Sequence, residues 1–222
     1  MSEALILSVR TGRVREWPRP AWDANPERTW RTAYVKDEVA GPVRVTALGL
    51  EGDEQANRDV HGGPQMAVLA YADAHYALWR ANPALAAMGA GAFGENLALT
   101  GPDETGVCIG DVWETGAVRF EVSQPRGPCA AISRHWNVPD LMQQATATTR
   151  IGWYLRVARV GTIARGETLR LTSRPHPEWT VARVFRLRVD KHSDPAERRA
   201  LAACEALSPE WRRHMTNLAD GA

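Results

Sequence analysis

The sequence predicts a mainly β protein of the α+β class, in which a barrel-like β-domain is followed by a small C-terminal segment of three helices. Short runs of β-branched and apolar residues recur along the chain with Gly-containing turns between them and few helical patterns, which is typical of a barrel. After the Pro-rich stretch RPHPEW the composition changes, and three helix-capping signals follow. We therefore divide the chain into a β-domain over 1–175 and a three-helix segment over 176–222.

The first part of the chain predicts strands separated by loops. EALILSV at 3–9 predicts the first strand, and a Pro-, Arg- and Trp-rich surface excursion follows over 10–42. The run VRVTALGL at 43–50 is β-branched and then apolar, and it leads into a loop rich in Gly and Asp. MAVLAY at 66–71 predicts a buried strand or the start of a short apolar helix, and 73–82 has the spacing of a helix.

The second part of the chain predicts a hairpin and further strands. Apolar residues alternate over 107–122 around the turn ETG, which is a hairpin signature. A short helix is expected at 138–146, and two strands around a Gly turn are expected within 153–173.

The C-terminal segment predicts three capped helices. Thr180, Ser193 and Ser208 are the expected N-caps, since their short side-chain oxygens can accept a hydrogen bond from the first helical turn. Pro209 follows the third cap at a position where its missing N–H costs nothing.

Composition excludes several classes of function. Lys and Arg number 27 against 26 Asp and Glu, a balance that argues against a general nucleic-acid or membrane-surface binder. No stretch approaches 18 apolar residues, so no transmembrane helix is expected. The N-terminus has only a four-residue apolar run and no basic region, so no signal peptide is predicted.

The three cysteines are odd in number and widely spaced, with no CxxC pair. This pattern favours neither a zinc site nor a disulfide framework. Reduced thiols in a cytoplasmic protein fit better. Cys108 and Cys204 lie in apolar strand-like and helix-like contexts and are expected to be buried and inert.

Cys129 ends the stretch SQPRGPC, which differs from the surroundings of a core cysteine. Two prolines stiffen the segment, and Arg126 brings a permanent positive charge three residues before the sulfur. A nearby cation favours the thiolate, the form that attacks electrophiles and binds metals.

Several motifs in the right order resemble the MOSC domain family, and more closely its YiiM-like branch. The likeness covers about residues 3–215, and the motifs that carry it are LGLEGDEQANRDVHGGP (48–64), GAFGENL (91–97), VCIGDVW (107–113), SQPRGPC (123–129) and GWYLRVARVGTIARGETLRL (152–171).

The resemblance implies a β-barrel-like fold and a molybdenum cofactor, a pterin dithiolene that holds Mo with one protein cysteine as a further ligand. Cys129 stands at that position of the PRxPC motif. The resemblance further implies reduction of N-hydroxylated compounds, such as hydroxylaminopurines, to amines, with electrons from a separate flavoprotein.

The expected site residues each have a structural alternative. Arg126 suits phosphate or pterin oxygens, although it could form a surface salt bridge. Gly62 and Gly63 allow backbone N–H groups to approach an anion, although Gly-Gly-Pro would make a tight turn in any case. His61 is the candidate proton donor and is counted with Cys129 as catalytic.

The remaining expected cofactor contacts lie in two short motifs. Gly94, Glu95 and Asn96 could meet the pterin edge, or Glu95 and Asn96 could satisfy loop backbone groups instead. Ser123 and Gln124 precede the cysteine loop and are expected to line the site.

Three questions stay open at this stage. Cys129 could carry a persulfide in sulfur transfer, or the protein could bind the cofactor without catalysis. Gln65 and Met66 follow HGGP where the family often has Asp-Arg, which leaves cofactor contacts or substrate choice open. The tail is expected to pack structurally, with docking of the electron donor or a homodimer interface as alternatives.

Overall fold

The computed structural model describes residues 2–25 and 27–221 and is built around a closed β-barrel. The strands of the described residues are β1 (Glu3–Thr11), β2 (Arg15–Pro18), β3 (Thr29–Thr32), β4 (Asp37–Glu38), β5 (Val43–Thr46), β6 (Gly49–Leu50), β7 (Val68–Ala72), β8 (Leu97–Leu99), β9 (Val112–Thr115), β10 (Val118–Pro125), β11 (Trp153–Arg159), β12 (Gly161–Ile163) and β13 (Thr168–Ser173). The helices are α1 (Ala74–Trp79), α2 (Ala130–Trp136), α3 (Leu141–Thr148), α4 (Val181–Val189), α5 (Pro195–Ala202) and α6 (Pro209–Asp220), with 3₁₀ turns at Pro64–Met66 and Pro83–Leu85.

Seven strands close the barrel in the order β13-β9-β10-β11-β7-β8-β1. The first strand returns to β13, with Leu5 opposite Thr168, so the ring of hydrogen bonds has no open edge. β7 and β8 run parallel, and the other neighbours are antiparallel. The predicted fold class, a barrel-like β-domain with C-terminal helices, is confirmed.

The excursion over 10–42 contains more structure than its composition predicts. Strands β2 and β3 form a hairpin in which Trp17 pairs with Trp30, and β4 extends the end of β1. Likewise, the run 43–50 is a small hairpin of β5 and β6.

The hairpin predicted over 107–122 begins later than expected. Val107 and Ile109 are buried, but they precede β9. The amide of Ile109 donates to the carbonyl of Trp179 in the tail (2.9 Å), and the Asp111 carboxylate accepts from the amide of Cys108 (3.0 Å). The contact with Trp179 joins Ile109 to the tail, while Gly110 and Asp111 still exchange backbone hydrogen bonds with Val122 of β10 (2.8 and 3.0 Å).

Other elements differ in length or number. The helix predicted at 73–82 covers Ala74–Trp79, and the one predicted at 138–146 is α3 at Leu141–Thr148. The segment 153–173 holds three strands instead of two. Helix α2 was not predicted. Cys204 is buried as expected, but it lies just beyond the end of α5.

The tail helices are capped almost as predicted. Thr180 accepts from the amide of Arg183 (3.2 Å) and Ser208 from that of Trp211 (3.4 Å). The prediction of Ser193 as the middle cap is wrong by one residue. Asp194 accepts from the amide of Ala196 (2.8 Å), because Pro195 occupies the first helical position.

The tail and the barrel share one apolar core. Helix α4 buries Val181, Val184, Phe185 and Leu187, and they belong to the same cluster as Phe120 inside the barrel. The division at residue 175 stays a prediction. In the described part of the chain, no helix combines the length and the apolar character that crossing a membrane requires.

Candidate active site

A cavity of about 450 Å³ opens at one end of the barrel. It lies between the exit of β10, the starts of β7 and β11, and the loops around residues 31–36, 53–62 and 93–96. Six of the residues predicted for the site line it: His61, Gly62, Gly94, Asn96, Arg126 and Cys129. Gly63, Glu95, Ser123 and Gln124 lie outside its lining.

Cys129 stands at the transition from β10 to α2. Its backbone is extended (φ −126°, ψ 165°) and occupies the N-cap position, but its thiol makes no capping hydrogen bond. The side chain is half-buried and free. Just upstream, the amide of Arg126 donates to the carbonyl of Gly152 (3.1 Å), so the chain leading to the sulfur is fixed against the start of β11.

Arg126 is a buried cation without a carboxylate partner among the described residues. Its side chain is 4 % exposed, and Nη1 has no hydrogen-bond partner. Burial by itself would lower the pKa of Arg126, but Cys129, Tyr34 and Tyr154 raise it overall, so the guanidinium stays charged. A buried charge without a carboxylate partner is costly, and the unpaired Nη1 leaves one hydrogen-bond donor of Arg126 available in the cavity wall.

The other charges around the cavity reinforce this polarity. Its lining contains the cationic side chains of Arg31, Lys36, Arg126 and Arg134 and the carboxylates of Asp53 and Glu54. Both carboxylates form ion pairs, Asp53 with Lys36 and Glu54 with Arg13 (3.1 Å). Arg134 is paired with Asp23 (2.6 Å), which leaves Arg31 and Arg126 without an ion pair in the described chain. The unneutralised charge of the cavity is therefore positive.

The HGG motif forms one wall. The amide of His61 donates to the carbonyl of Asn57 (3.1 Å). Burial, and then the charge of Arg126, lower the pKa of His61. At Gly62, φ is +82°, a conformation that favours glycine, and a Cβ atom would lie 2.8 Å from Oε1 of Gln55 unless that side chain moved.

The GEN motif divides between the cavity and the barrel interior. A Cβ atom on Gly94 would lie 2.8 Å from the ring of Tyr34. Glu95 is fully buried and accepts hydrogen bonds from the Tyr76 hydroxyl and from the amides of Gly91 and Phe93. These three donors favour the structural alternative for Glu95, and its pairing with Tyr76 helps to fix the loop that carries Gly94.

Asn96 lines the cavity, but its amide group is taken up by the backbone. Oδ1 accepts from the amide of Leu69 (3.0 Å), and Nδ2 donates to the carbonyl of Arg10 (3.1 Å). The side chain thus ties β7 to β1 at the floor of the cavity.

Ser123 and Gln124 are buried within β10. The Ser123 hydroxyl lies 2.6 Å from the carbonyl oxygen of Gln65 and 3.1 Å from that of Tyr154. These contacts hold the strand that precedes the cysteine loop.

Sequence reasoning missed much of the cavity wall. The missed lining residues include Trp30, Tyr34, Lys36, Asp53, Arg134 and Tyr154. The Asp53 side chain is buried, and its carboxylate accepts a hydrogen bond from the amide of Gly12 (2.7 Å). Neither the loop containing Asp53 nor the polar excursion containing Lys36 carries a local signal of this pairing.

Residues 57–170 match the family described as MOSC domain, and residues 179–218 match the family described as YiiM-like, 3-alpha helix domain. The chain belongs to the MOSC domain family. MOSC domains are associated with binding of the molybdenum cofactor.

Relatives support this assignment along nearly the whole chain. Protein YiiM of Escherichia coli is 35% identical over 211 residues, which cover 94% of this chain and 90% of that protein. The crystal structure of YiiM from Geobacillus stearothermophilus superposes with a TM-score of 0.78 at 28% identity, over 97% of this chain and 99% of that one.

A third relative is much longer. A protein of Gibberella moniliformis named "Reductase" is 38% identical over 186 residues, or 82% of this chain. The matched region covers 32% of the length of that protein, so the present chain spans about a third of it.

The cavity of this MOSC domain fits an anionic cofactor that brings most of its own metal ligands. No group of three or more His, Cys, Asp or Glu side chains that could hold a metal is found among residues 2–25 and 27–221. Of the three free cysteines, Cys129 lines the cavity, together with Arg126 and its unpaired Nη1. A thiolate is a soft ligand suited to thiophilic metals.

Proposed function

We propose that this protein is a molybdenum-cofactor oxidoreductase that reduces N-hydroxylated compounds, of the hydroxylaminopurine and hydroxylamine kind, to amines. The observation that carries the proposal is the buried guanidinium of Arg126, whose Nη1 has no hydrogen-bond partner among the described residues, in the same cavity as the free thiol of Cys129. Membership of the MOSC family and the relative named "Reductase" support an oxidoreductase. A separate flavoprotein is the proposed source of electrons.

Each residue has a definite task in this proposal. The Cys129 sulfur would be the protein ligand of the metal, and Arg126 would bind an anionic oxygen of the cofactor by charge-assisted hydrogen bonds. Gly62 lines the cavity without a side chain, so that group could approach its backbone closely. When bound, the cofactor supplies the two-electron reduction of the N–O bond.

The chain itself orients the substrate and limits water. Trp30, Tyr34, Phe93 and Tyr154 present aromatic surface around the cavity, which suits a flat heteroaromatic hydroxylamine. The overall reaction, R–NHOH + 2e⁻ + 2H⁺ → R–NH₂ + H₂O, also consumes two protons. Because the pKa of His61 is lowered, its imidazole is mostly neutral at pH 7 and better suited to hold the substrate than to release a proton.

The activity test uses protein made in a host that synthesises molybdenum cofactor, a chemical reductant in place of the flavoprotein, and hydroxylaminopurine and hydroxylamine as substrates. Wild type should form the amine, whereas Cys129→Ser should lose at least about 100-fold in kcat because the metal ligand is gone. Cys204→Ala is the matched control, since Cys204 is a free thiol buried in the tail.

Equal amine formation by Cys129→Ser and wild type would refute the proposal. The alternative function for Cys129 is that of a sulfur carrier. That function predicts that a reductant releases sulfur from the isolated wild type without any metal, and that Cys129→Ser releases none.

A further inference from the structure

A buried ion pair faces the cavity and has no part in the function proposed above. Nζ of Lys36 contacts Oδ1 of Asp53, and the two side chains are 8 % and 5 % exposed. The chain has two lysines, and the other, Lys191, is exposed in the tail. Lys36 is thus a buried lysine placed in the wall of the candidate active site.

The geometry fixes the pair from both sides. Asp53 also accepts a hydrogen bond from the amide of Gly12 (2.7 Å), and the carbonyl of Lys36 accepts from Nε of Arg10 (3.1 Å). An ammonium has three N–H donors, and Asp53 is the hydrogen-bond partner of Nζ within residues 2–25 and 27–221. Further N–H groups therefore remain for a ligand in the cavity.

Burying this pair costs desolvation energy that a hydrophobic pair of similar size would avoid. Its position in the cavity wall, and not on the outer surface, suggests a chemical role. Asp53 and Cys129 both act on Tyr154, which lines the same cavity. Burial raises the pKa of Tyr154, the charge of Arg126 lowers it, and Cys129 and Asp53 raise it further.

The other proton carriers around the cavity are poor acids or are committed elsewhere. Burial raises the pKa of Tyr34 and of Tyr154 well above the ordinary value of tyrosine, and the Tyr34 hydroxyl donates to the carbonyl of Ala92 (2.6 Å). Burial and then the charge of Arg126 lower the pKa of His61, so at pH 7 its imidazole is mostly neutral and has no extra proton to give. Guanidinium groups do not give up a proton in proteins.

We infer that Lys36 is the catalytic acid of this site and Asp53 its positioning residue. As the N–O bond of R–NHOH breaks, the ammonium of Lys36 gives a proton to the departing oxygen, which leaves as water. The two electrons come from the flavoprotein class of donor. A second proton reaches the nitrogen from solvent to complete the amine product, and solvent reprotonates the amine of Lys36. This inference rests on the proposed function.

The test compares three variants with wild type and with the surface control Lys191→Met. Lys36→Met combined with Asp53→Asn removes both buried charges, while the Asn oxygen can still accept from Gly12. Lys36→Arg keeps the charge but removes the transferable proton. Asp53→Asn alone keeps the lysine but loosens its position. Molybdenum per chain, Tm, kcat and KM are measured for each.

General acid catalysis contributes about 100- to 10,000-fold. Accordingly, kcat should fall at least about 100-fold in the double variant and in Lys36→Arg, and less in Asp53→Asn. Molybdenum per chain and KM should stay within about twofold of wild type in all variants. For Asp53, a positioning role predicts in addition that Asp53→Asn changes the pH profile of kcat, which a purely structural role would not move.

Two results would overturn the inference. Loss of molybdenum from the Lys36 variants, with unchanged kcat per bound molybdenum, would mean that Lys36 anchors the cofactor. Retained kcat in Lys36→Arg would mean that only the charge matters. Wild type without molybdenum or turnover would refute the proposed function itself, so the two failures are distinguishable.

Discussion

Arg126 and Arg198 are both buried guanidinium groups, but the protein satisfies only Arg198. Arg198 donates to the carbonyls of Leu187 (3.0 Å), Asp190 and Leu218 (3.2 Å), and so joins the ends of the tail helices. Arg126 has one nitrogen without a hydrogen-bond partner and forms no ion pair in the described chain. The hydrogen bonds of Arg198 serve the structure of the tail, whereas the unpaired nitrogen of Arg126 is consistent with the proposed binding of an anionic cofactor.

Replacing each arginine by Met should therefore have opposite effects. Arg126→Met should leave the Tm of the cofactor-free protein unchanged or raise it, because a buried charge without an ion-pair partner is removed. The corresponding gain in the free energy of unfolding is up to about 2 kcal/mol. The same change should lower molybdenum per chain. Arg198→Met should instead cost on the order of 2–3 kcal/mol, because buried carbonyls lose their donors.

Thermal unfolding of the cofactor-free proteins and elemental analysis of the cofactor-bound ones measure these effects. A strong loss of stability in Arg126→Met with unchanged molybdenum would contradict the role of Arg126 in binding the cofactor.

At the residue scale, local motifs predicted the site better than they predicted what each residue does. SQPRGPC and HGG pointed to Cys129, Arg126 and Gly62, which share one cavity, because rigid or conformationally special residues are visible in sequence. The structural alternative for Glu95, hydrogen bonds to nearby loop amides, was visible in sequence, but the side-chain partners of Glu95 and Asp53 were not. Their partners Tyr76 and Lys36 are 19 and 17 residues away in sequence, so the fold alone brings them together.

At the scale of elements, the β2–β3 hairpin is fastened to α2, the helix that begins after Cys129. Oδ2 of Asp23 accepts from Arg19 (2.8 Å) and from Arg134 (2.6 Å), and Trp22 Nε1 donates to Oδ1 of Asn137 (2.9 Å). The hairpin thus holds the helix that carries one wall of the cavity.

This fastening predicts an acid dependence. Hydrogen bonds from Arg19 and then Arg134 lower the pKa of Asp23 to about 2, below the value of about 3.9 expected in the unfolded chain. The stabilisation is therefore complete above about pH 4 and is lost as pH falls through about 2.

Comparison of wild type with Asp23→Asn checks this. The Tm of wild type should exceed that of Asp23→Asn at pH 5, and the difference should shrink as pH falls from 4 towards 2. A Tm difference that does not change with pH would show that charge on Asp23 contributes nothing to stability.

Element prediction succeeded where a local pattern determines the structure. The tail helices follow from cap residues and apolar spacing, and β1 and β10 from alternation. The β2–β3 hairpin and α2 were not predicted, since their stability comes from contacts between Asp23 and Arg134 and between Trp17 and His135, which no periodicity reveals.

At the scale of the whole molecule, two family matches cover one folded core. Two backbone amides of the tail donate hydrogen bonds to carbonyls of the first 175 residues. The amide of Val181 donates to the carbonyl of Val107 (2.8 Å), and the amide of Ser208 donates to that of Ser123 (3.0 Å). The latter contact lies directly behind the cysteine loop.

Removal of residues 176–222 should therefore unfold the barrel. Each buried apolar side chain contributes about 1.5–3 kcal/mol. The loss of the four that α4 buries approaches the full stability of a typical domain, about 5–15 kcal/mol. Circular dichroism and urea unfolding of a chain ending at residue 175 measure this, and a cooperative transition like that of the full chain would contradict the shared core.

The central claim is that Cys129 and the cation beside it hold a molybdenum cofactor, and molybdenum per chain tests it most directly. The protein is made in a host that synthesises the cofactor, and wild type, Cys129→Ser and Cys204→Ala are analysed for molybdenum and pterin. Near-stoichiometric molybdenum in wild type and Cys204→Ala, with its loss in Cys129→Ser, is the predicted result. Wild type without molybdenum and pterin, or Cys129→Ser with full molybdenum content, would contradict the account.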